Sequence, residues 1–294
     1  MVVDNIRGRV MAAASRHSWN ACSAPARTRW SPAGTIILML LALGGAICLP
    51  ACSSASKKPP VGTLEPDKFL WERGTKELNA KHWFNAREYF RQLMDSYPQS
   101  QYRADAKLGL ADTYLGENSA ESKVLAINEY REFLSFYPTH PRADYAQYKL
   151  GMAHYYQMFG PERDQTETRE AVAELRTMVQ KYPNSPLKPE AEKYLREARD
   201  RLSDAEYRVA YFYVKTQKFP PAAIDRFKSL LKDDPEYSRR DAVYFYLAQS
   251  LMKVNRGAEA LPYLEQLIAE FERSEYLAPA KELEATLKAD QAKK

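Results

Sequence analysis

Cysteine is scarce in this 294-residue chain, and all of it lies near the start. The three cysteines are Cys22, Cys48 and Cys52, so the residues after position 52 cannot be joined to one another by disulfides. A fold without such cross-links depends on packing alone. Hydrophobic residues make up 45% of the chain, which is enough for a substantial core.

The sequence motifs of the common enzyme classes are also missing. We find no phosphate-binding loop, no dinucleotide-binding fingerprint and no serine nucleophile elbow. His82, His140 and His154 are far apart in sequence, and no cysteine after position 52 can join them as a metal ligand. A role in a turn or in packing explains each histidine better. We therefore expect that the protein is not an enzyme and that it uses no metal or cofactor.

A concentrated charge of one sign is absent as well. The chain has 43 Lys and Arg against 38 Asp and Glu, and the first 51 residues contribute five of the basic residues and one of the acidic ones. The remaining residues are almost balanced, at 38 basic and 37 acidic. Binding to the phosphates of nucleic acid needs a concentrated basic surface, so we exclude nucleic acid as a partner.

The longest apolar run is too short to cross a membrane. It covers residues 35–47 and contains Gly44 and Gly45, whereas a spanning helix needs about 20 apolar residues. Arginines precede this run, and a small residue, Ala51, follows it. This order is typical of a signal peptide over residues 1–51, and a membrane anchor helix is the alternative.

The residues that close this segment, Leu49-Pro50-Ala51-Cys52, resemble the lipobox of bacterial lipoproteins. The resemblance implies that Cys52 carries N-acyl and S-diacylglycerol groups and becomes the first residue of the mature protein. Residues 52–66 are small, polar and proline-rich, which is typical of a flexible tether between lipid and fold. Because Ser53 rather than aspartate follows the cysteine, lipoprotein sorting would anchor the protein in the outer membrane, facing the periplasm.

Five copies of one helical pattern follow the tether. Each copy has an alanine and then large apolar residues four, seven and eight positions later, which together form one buried face of a helix. The alanines are Ala86, Ala126, Ala171, Ala223 and Ala260; the residues at +4 are Phe90, Tyr130, Leu175, Phe227 and Leu264; those at +7 are Leu93, Phe133, Met178, Leu230 and Leu267; those at +8 are Met94, Leu134, Val179, Leu231 and Ile268.

Each copy ends at a turn and continues into a second helix. A proline at +12 ends the first four copies, as in Tyr97-Pro98 and Asp234-Pro235, because proline has no amide proton to donate. A second small residue lies about 20 residues after each alanine: Ala106, Ala146, Ala191, Ala242 and Ala280. The pattern resembles tetratricopeptide repeats, which are stacked helical hairpins, and an unrelated helical bundle is the alternative.

We therefore predict an all-α fold, a tetratricopeptide-like solenoid of five helical hairpins. Repeats 1–3 occupy residues 67–186, and repeats 4 and 5 with a capping helix occupy residues 219–290. Residues 187–218 between them are predicted to form one long connecting helix, in which Ser203-Asp204 is the point where a break would fall. Most of the 20 tyrosines should pack between repeats, and the rest should line the concave surface, where rigid rings can bind an extended peptide.

Several blocks are more specific than the repeat itself. Tyr137-Pro138-Thr139-His140-Pro141 lies between two helices, Tyr182-Pro183-Asn184-Ser185 follows repeat 3, and Asp200-Arg201-Leu202 lies in the long helix. With the lipobox, the tether and the five repeats, these blocks resemble the BamD family of outer-membrane assembly lipoproteins, also called ComL or YfiO. The resemblance covers roughly residues 65–285.

The resemblance implies a lipid-anchored scaffold of the β-barrel assembly machinery at the outer membrane. Its partners would be the POTRA domains of an Omp85 (BamA-type) insertase, unfolded β-barrel outer-membrane proteins and other assembly lipoproteins. Arg226 matches the family arginine that pairs with an acidic residue of the membrane-proximal POTRA domain. The alternative function is that of another tetratricopeptide lipoprotein, either a secretin pilot or a coordinator of cell-wall synthesis and division.

Overall fold

The structure is a computed structural model of the chain, in which residues 59–60 and 62–292 are described. The predicted signal peptide, Cys52 and most of the predicted tether lie outside these residues. The described part contains eleven α-helices and no β-strand: α1 (Pro66–Asn79), α2 (Trp83–Ser96), α3 (Arg103–Glu117), α4 (Ala120–Phe136), α5 (Ala143–Tyr155), α6 (Thr166–Lys181), α7 (Lys188–Lys215), α8 (Pro220–Asp233), α9 (Arg240–Lys253), α10 (Gly257–Glu270) and α11 (Leu277–Ala292). None of these helices combines the length and the hydrophobicity that crossing a membrane requires.

The helices form five consecutive hairpins, and each helix packs against the next one along the chain. We call the first helix of each hairpin helix A and the second helix B, so α1 and α2 form repeat 1 and α9 and α10 form repeat 5. The A helices α1 and α3, α5 and α7, and α7 and α9 also contact each other, whereas α11 packs on the last hairpin. This arrangement confirms the predicted all-α, tetratricopeptide-like solenoid.

The alanine pattern that predicted the helices corresponds to the buried face of each helix B. All five alanines, and all five residues at +4 and at +7, are buried, while the residues at +8 are half-buried. The second set of small residues, from Ala106 to Ala280, is buried as well. Small side chains therefore lie where helices approach each other closely, and large ones fill the space between the helices.

Repeat 1 shows how this packing is achieved. The ring of Phe90 on α2 lies between Gly74 on α1 and Gly109 on α3. A Cβ atom added to Gly74 would lie 2.5 Å from Cε1 of Phe90, and one added to Gly109 would lie 2.6 Å from Cζ. Since real Cβ contacts are never that short, the close approach of both helices to the ring requires glycine at the two positions.

A serine–aspartate pair joins the turn after helix B to the start of helix A in three of the repeats. Ser100 donates to Asp67 at 2.7 Å in repeat 1, and Ser185 donates to Asp144 at 2.6 Å in repeat 3. Ser274 donates to Asp241 at 2.6 Å in repeat 5. In repeat 2, His140 has the corresponding position, and its Nδ1 accepts from the backbone N–H of Arg142 at 3.2 Å. The turn role expected for His140 is thus its role in the structure.

The long helix α7 serves as helix A of repeat 4 and also packs against α6 of repeat 3. It runs through Ser203-Asp204 without a break, so a break at that point is ruled out. Both side chains make tertiary contacts instead: Ser203 donates to Asp234 at 2.7 Å, and Asp204 accepts a hydrogen bond from the hydroxyl of Tyr237. The helix ends at Lys215, slightly earlier than the sequence indicated.

Asp234, at the end of α8, joins that helix to α7 within repeat 4. Its buried carboxylate accepts hydrogen bonds from Nη1 of Arg196 at 2.9 Å and from Ser203, and it forms an ion pair with Arg199, whose Nη2 lies 2.9 Å from Oδ1. Burial by itself would raise the pKa of Asp234, but the hydrogen bonds from Arg196 and Ser203 and the two guanidinium charges outweigh it and lower the pKa. The carboxylate is therefore held in its ionised form.

Candidate functional site

One candidate site is a groove of about 640 Å³ formed by repeats 1–3. Helices α1, α3 and α5 supply most of its walls, and both ends of the α1–α2 turn contribute to its edge. Its lining residues are Trp71, Thr75, Leu78, Asn79, Lys81, Trp83, Phe90, Asp105, Gly109, Asp112, Leu115, Gly116, Arg142, Tyr145, Lys149 and Tyr156. The A helices of the N-terminal repeats thus enclose an aromatic groove with charged residues at its edge. We call it the N-terminal groove.

A half-buried carboxylate lies in the wall of this groove. The Oδ1 atom of Asp112 accepts from the hydroxyl of Tyr130 at 2.6 Å and from the hydroxyl of Tyr145 at 3.1 Å. Burial raises the pKa of Asp112, and the two hydrogen bonds and the charges of Lys149 and Arg142 offset this only in part. Burial next to this carboxylate also raises the pKa of both tyrosines, so their hydroxyls remain protonated donors.

Two cations lie over the outer tyrosine of this cluster. The guanidinium carbon of Arg142 is 4.8 Å from the centre of the Tyr145 ring, and Nζ of Lys149 is 5.4 Å from it. Arg142 also forms a long ion pair with Asp105, at 3.5 Å. Arg142 is exposed and Lys149 is half-buried. Aromatic faces next to such cations suit an extended peptide that carries apolar side chains and a carboxylate.

Arg226 lies on α8, in the C-terminal half of the described chain. Its Nη1 is 3.5 Å from Oε2 of Glu206 on α7, and its guanidinium lies over the ring of Tyr213 at 5.7 Å. About half of each charged side chain is exposed, so the pair is accessible to a partner. Val209, Phe212 and Phe219, on α7 and in the turn before α8, are exposed as well. The role in POTRA binding that the resemblance implies for Arg226 stays a prediction.

The structure separates the tyrosines into two groups. One group packs inside the repeats, and Tyr130, Tyr244 and Tyr246 are buried members of it. Tyr145 and Tyr156 line the N-terminal groove instead, and Tyr156 is largely exposed. The sequence could not distinguish the two groups, because several tyrosines occupy helical positions that face both a neighbouring helix and solvent.

One histidine cluster has the residue types of a metal site. His154 is buried, and ligand atoms of His154, Glu170 and Glu174 lie within 4.8 Å of one another. The guanidinium of Arg131 lies among them, 3.2 Å from Nε2 of His154 and 3.6 Å from Glu170. Nδ1 of His154 is also 2.7 Å from Glu167. Arg131 therefore supplies the positive charge of this cluster.

Two features of the groove were missed by the sequence analysis. Asp112 and Lys149 were not identified as candidates, although an aspartate in the otherwise apolar stretch Leu108-Gly109-Leu110-Ala111-Asp112 was a usable signal. Their significance depends on Tyr130 and Tyr145, which belong to other helices. Cys52 lies outside the described residues, so its acylation also stays a prediction.

Together, the stacked hairpins and the N-terminal groove define a helical-repeat binding protein. The chain also matches the model of one protein family, described as YfiO, outer membrane lipoprotein, over residues 64–261. It is 31% identical to the outer membrane protein assembly factor BamD of Caulobacter vibrioides over 232 residues, which are 78% of this chain and 73% of that protein. The chain therefore belongs to the YfiO family of outer-membrane lipoproteins.

Two further likenesses are weaker. The outer membrane protein assembly factor BamD of Vibrio cholerae is 26% identical over 204 residues, which are 66% of this chain and 83% of that protein. The TPR2AB domain of yeast Sti1, solved in complex with pHSP90, has a TM-score of 0.41 and 13% identity over 76% of this chain and 83% of that chain. A TM-score at this level adds nothing to the fold described above. The family match confirms the predicted resemblance and supports the assembly function over the secretin-pilot and cell-wall alternatives.

Proposed function

We propose that this chain is an outer-membrane protein assembly factor that acts as a lipid-anchored, periplasm-facing scaffold and not as a catalyst. Its C-terminal repeats bind POTRA domains of a β-barrel insertase, and its N-terminal groove receives unfolded barrel precursors. Membership of the YfiO family supports the assembly role. The lipid on Cys52 would hold both binding surfaces near the membrane, since each buried methylene contributes about 0.8 kcal/mol to anchoring.

The observation that carries the proposal is the chemistry of the N-terminal groove. Trp71, Trp83 and Tyr156 offer aromatic surface along it, and Arg142 and Lys149 offer positive charge beside Tyr145. A precursor strand alternates apolar and polar side chains, and a free C-terminal segment also carries a carboxylate. Rigid aromatic rings bind such a strand at a low entropic cost, and the two cations would orient its carboxylate.

The groove is tested with a labelled peptide that corresponds to the C-terminal strand of a barrel precursor from the same organism. Replacing both Arg142 and Lys149 by Gln should weaken binding about tenfold, because two exposed charge contacts are together worth roughly 1–2 kcal/mol. Fluorescence anisotropy measures the affinity. The control changes Arg103 and Lys281 to Gln, which removes the same charge from residues outside the groove. Equal affinities for the two double variants would contradict the assignment of the groove.

The partner surface is tested by a pull-down from detergent-solubilised outer membrane. The wild-type chain should recover an insertase with POTRA domains, and recovery of a secretin in its place would favour the alternative function. Arg226→Glu should weaken insertase recovery without lowering the melting temperature, because the side chain is exposed and pairs only loosely with Glu206. Lys232→Glu, an exposed charge reversal on the same helix, is the control.

The membrane anchor is tested in the same preparation. Cys52→Ser should move the chain from the membrane fraction to the soluble fraction, because the variant cannot be acylated. Retention of Cys52→Ser in the membrane would mean that the apolar leader is itself the anchor.

A further inference from the structure

A second cleft lies where repeat 3 meets repeat 4, apart from the N-terminal groove. It has a volume of about 240 Å³ and is formed by α6, α7 and the end of α8. We call it the junction cleft. It is smaller than the roughly 300–1,000 Å³ of typical cofactor pockets, so its size suits a side chain of a partner protein. Apolar residues form part of its surface, including Val172, Leu202 and Leu230.

Two arginines on α6 give one wall of the junction cleft a positive charge. Arg169 and Arg176 are exposed and lie seven residues apart, which places them on the same face of the helix, about two turns from each other. Neither guanidinium has an ion-pair partner among the residues that the structure describes. Val172 lies between them on the same face, and the nearby Gln165 already donates to two backbone carbonyls.

The charges on the other walls are mostly neutralised within the fold. Arg199 and Asp234 pair with each other, at 2.9 Å. Glu206 pairs with Arg226 at 3.5 Å, which leaves Asp233 as an acidic residue of the cleft without an ion-pair partner in the described chain. The wall formed by α6 is therefore the part of the cleft that attracts an anion.

The junction cleft is continuous with the surface around Arg226. Glu206 lines the cleft and is also the ion-pair partner of Arg226, so a protein that contacts Arg226 lies over the edge of the cleft. A partner that presents one acidic residue to Arg226 can present another to α6. Guanidinium groups suit this role because they bind carboxylates through paired hydrogen bonds.

We propose that the junction cleft binds an acidic side chain of the POTRA domain that Arg226 holds, with Arg169 and Arg176 as its ligands. This inference rests on the proposed function and assigns two further residues to the partner interface. Arg226 would make one anchoring contact, and the α6 wall would fix the orientation of the partner about that contact. The negative charge of Asp233 opposes the binding of an acidic group. Removing this charge should therefore strengthen partner binding, whereas removing the charges of Arg169 and Arg176 should weaken it.

The test uses the full lipidated chain in detergent and the insertase purified from the same organism. Replacing Arg169 and Arg176 together by Gln should weaken binding about tenfold, and this loss should shrink at high salt. Asp233→Asn should strengthen binding about two- to threefold, since removing a nearby acidic group favours an anionic partner. The matched control replaces Arg103 and Arg273 by Gln, which removes two positive charges outside the junction cleft. Circular dichroism and thermal unfolding verify that all variants fold.

The outcomes separate this inference from the function on which it rests. Weaker binding by the arginine variant, together with stronger binding by Asp233→Asn, supports the junction cleft. If Arg226→Glu weakens binding while the arginine variant matches its control, the cleft assignment is wrong and the proposed function stands. If the wild-type chain does not bind the insertase, the proposed function fails and the cleft assignment fails with it.

Discussion

The N-terminal and C-terminal halves of the described chain each contain an aspartate that accepts several hydrogen bonds, and the two have opposite surroundings. Asp112 accepts from two tyrosine hydroxyls in the wall of the N-terminal groove. Asp234 lies against Arg196 and Arg199 where the end of α8 meets α7. Burial raises the pKa of Asp112, whereas at Asp234 the hydrogen bonds and the two arginines overcome the effect of burial and lower the pKa.

The difference indicates what each half of the molecule does. At Asp234, cations bind the carboxylate directly, and the resulting network fastens the end of α8 to α7 within repeat 4. In the groove, Arg142 and Lys149 lie over the ring of Tyr145 and not against Asp112, whose Oδ1 is occupied by tyrosine hydroxyls. Lys149 has no ion-pair partner in the described chain, and Arg142 pairs only with Asp105 at 3.5 Å, so both cations remain accessible to a ligand. The C-terminal aspartate serves stability, and the N-terminal one serves the shape of a binding surface.

The largest effect is expected from Asp234→Asn. The change removes the charge that compensates Arg196 and Arg199, and breaking a buried ion pair costs about 3–5 kcal/mol. We expect about 3 kcal/mol, because both arginines keep some contact with water. Urea unfolding measures the loss. Asp144→Asn is the control and should cost less, because Asp144 accepts only from Ser185 and the backbone N–H of Tyr145 and pairs with no cation in the described chain.

The same variant has a defined pH dependence. The folded pKa of Asp234 is lowered, so its contribution is present above the unfolded value of about 3.9 and is lost as pH falls through the folded pKa. The stability difference between wild type and Asp234→Asn should therefore narrow below pH 4. A difference that stays constant to pH 2 would mean that the arginines do not stabilise the ionised carboxylate.

A smaller effect is expected from Ser203→Ala. The Ser203 hydroxyl donates to the ionised carboxylate of Asp234 at 2.7 Å, and hydrogen bonds to charged groups contribute about 1.5–3 kcal/mol. Ser250→Ala is the matched control, because the buried Ser250 hydroxyl donates at 2.7 Å to a neutral carbonyl in its own helix. Ser203→Ala should lower the free energy of unfolding more than Ser250→Ala does. Equal losses would show that the charge of Asp234 adds nothing to this bond.

The two aspartates also show which features of the fold could be predicted from the sequence. The helices were predictable because the alanine and the residues at +4 and +7 repeat locally, and the structure buries all of them. The hydrogen-bond partners of Asp234 could not be predicted, because Ser203 and Arg196 lie 31 and 38 residues away in the sequence, on α7. The pattern marked Asp234 as exceptional, because tyrosine precedes the proline at Tyr97, Tyr137 and Tyr182. The pattern did not indicate which side chains would contact Asp234, where the other repeats have a tyrosine ring.

The N-terminal groove shows the same limit of sequence-based prediction, here for a residue whose burial could be predicted and whose hydrogen-bond partner could not. The large residue at +4 of repeat 2, Tyr130, was predicted to be buried, and it is. Its hydroxyl needed a buried acceptor, and that requirement pointed to some polar residue in a neighbouring helix without identifying Asp112. The hydrogen-bond partner of a buried group is set by the crossing of two helices, which local periodicity does not encode.

The smallest expected effect on the free energy of unfolding is that of Asp112→Asn. As pH rises, this variant should gain stability relative to wild type, whereas Asp234→Asn should lose it. A folded pKa above the unfolded one means that the folded state holds this proton more tightly, so ionisation costs stability as pH rises from about 4. Asparagine keeps the acceptor that Tyr130 and Tyr145 use, because both bonds go to Oδ1, and it cannot ionise. The variant should therefore gain stability relative to wild type as pH rises from about 4 through the folded pKa of Asp112. A gain of about 1 kcal/mol would raise the melting temperature by roughly 2–4 °C.

Melting curves of both proteins across this pH range measure the trend, and only the change with pH is diagnostic. A constant offset would reflect the buried amide group of asparagine, which is the same at every pH. Asp233→Asn is the control, because its exposed side chain has no ion-pair partner in the described chain. If the Asp112→Asn variant loses stability relative to wild type as pH rises, the groove stabilises the ionised carboxylate. Arg142 and Lys149 would then be counterions of Asp112, and less of their charge would be available to a peptide.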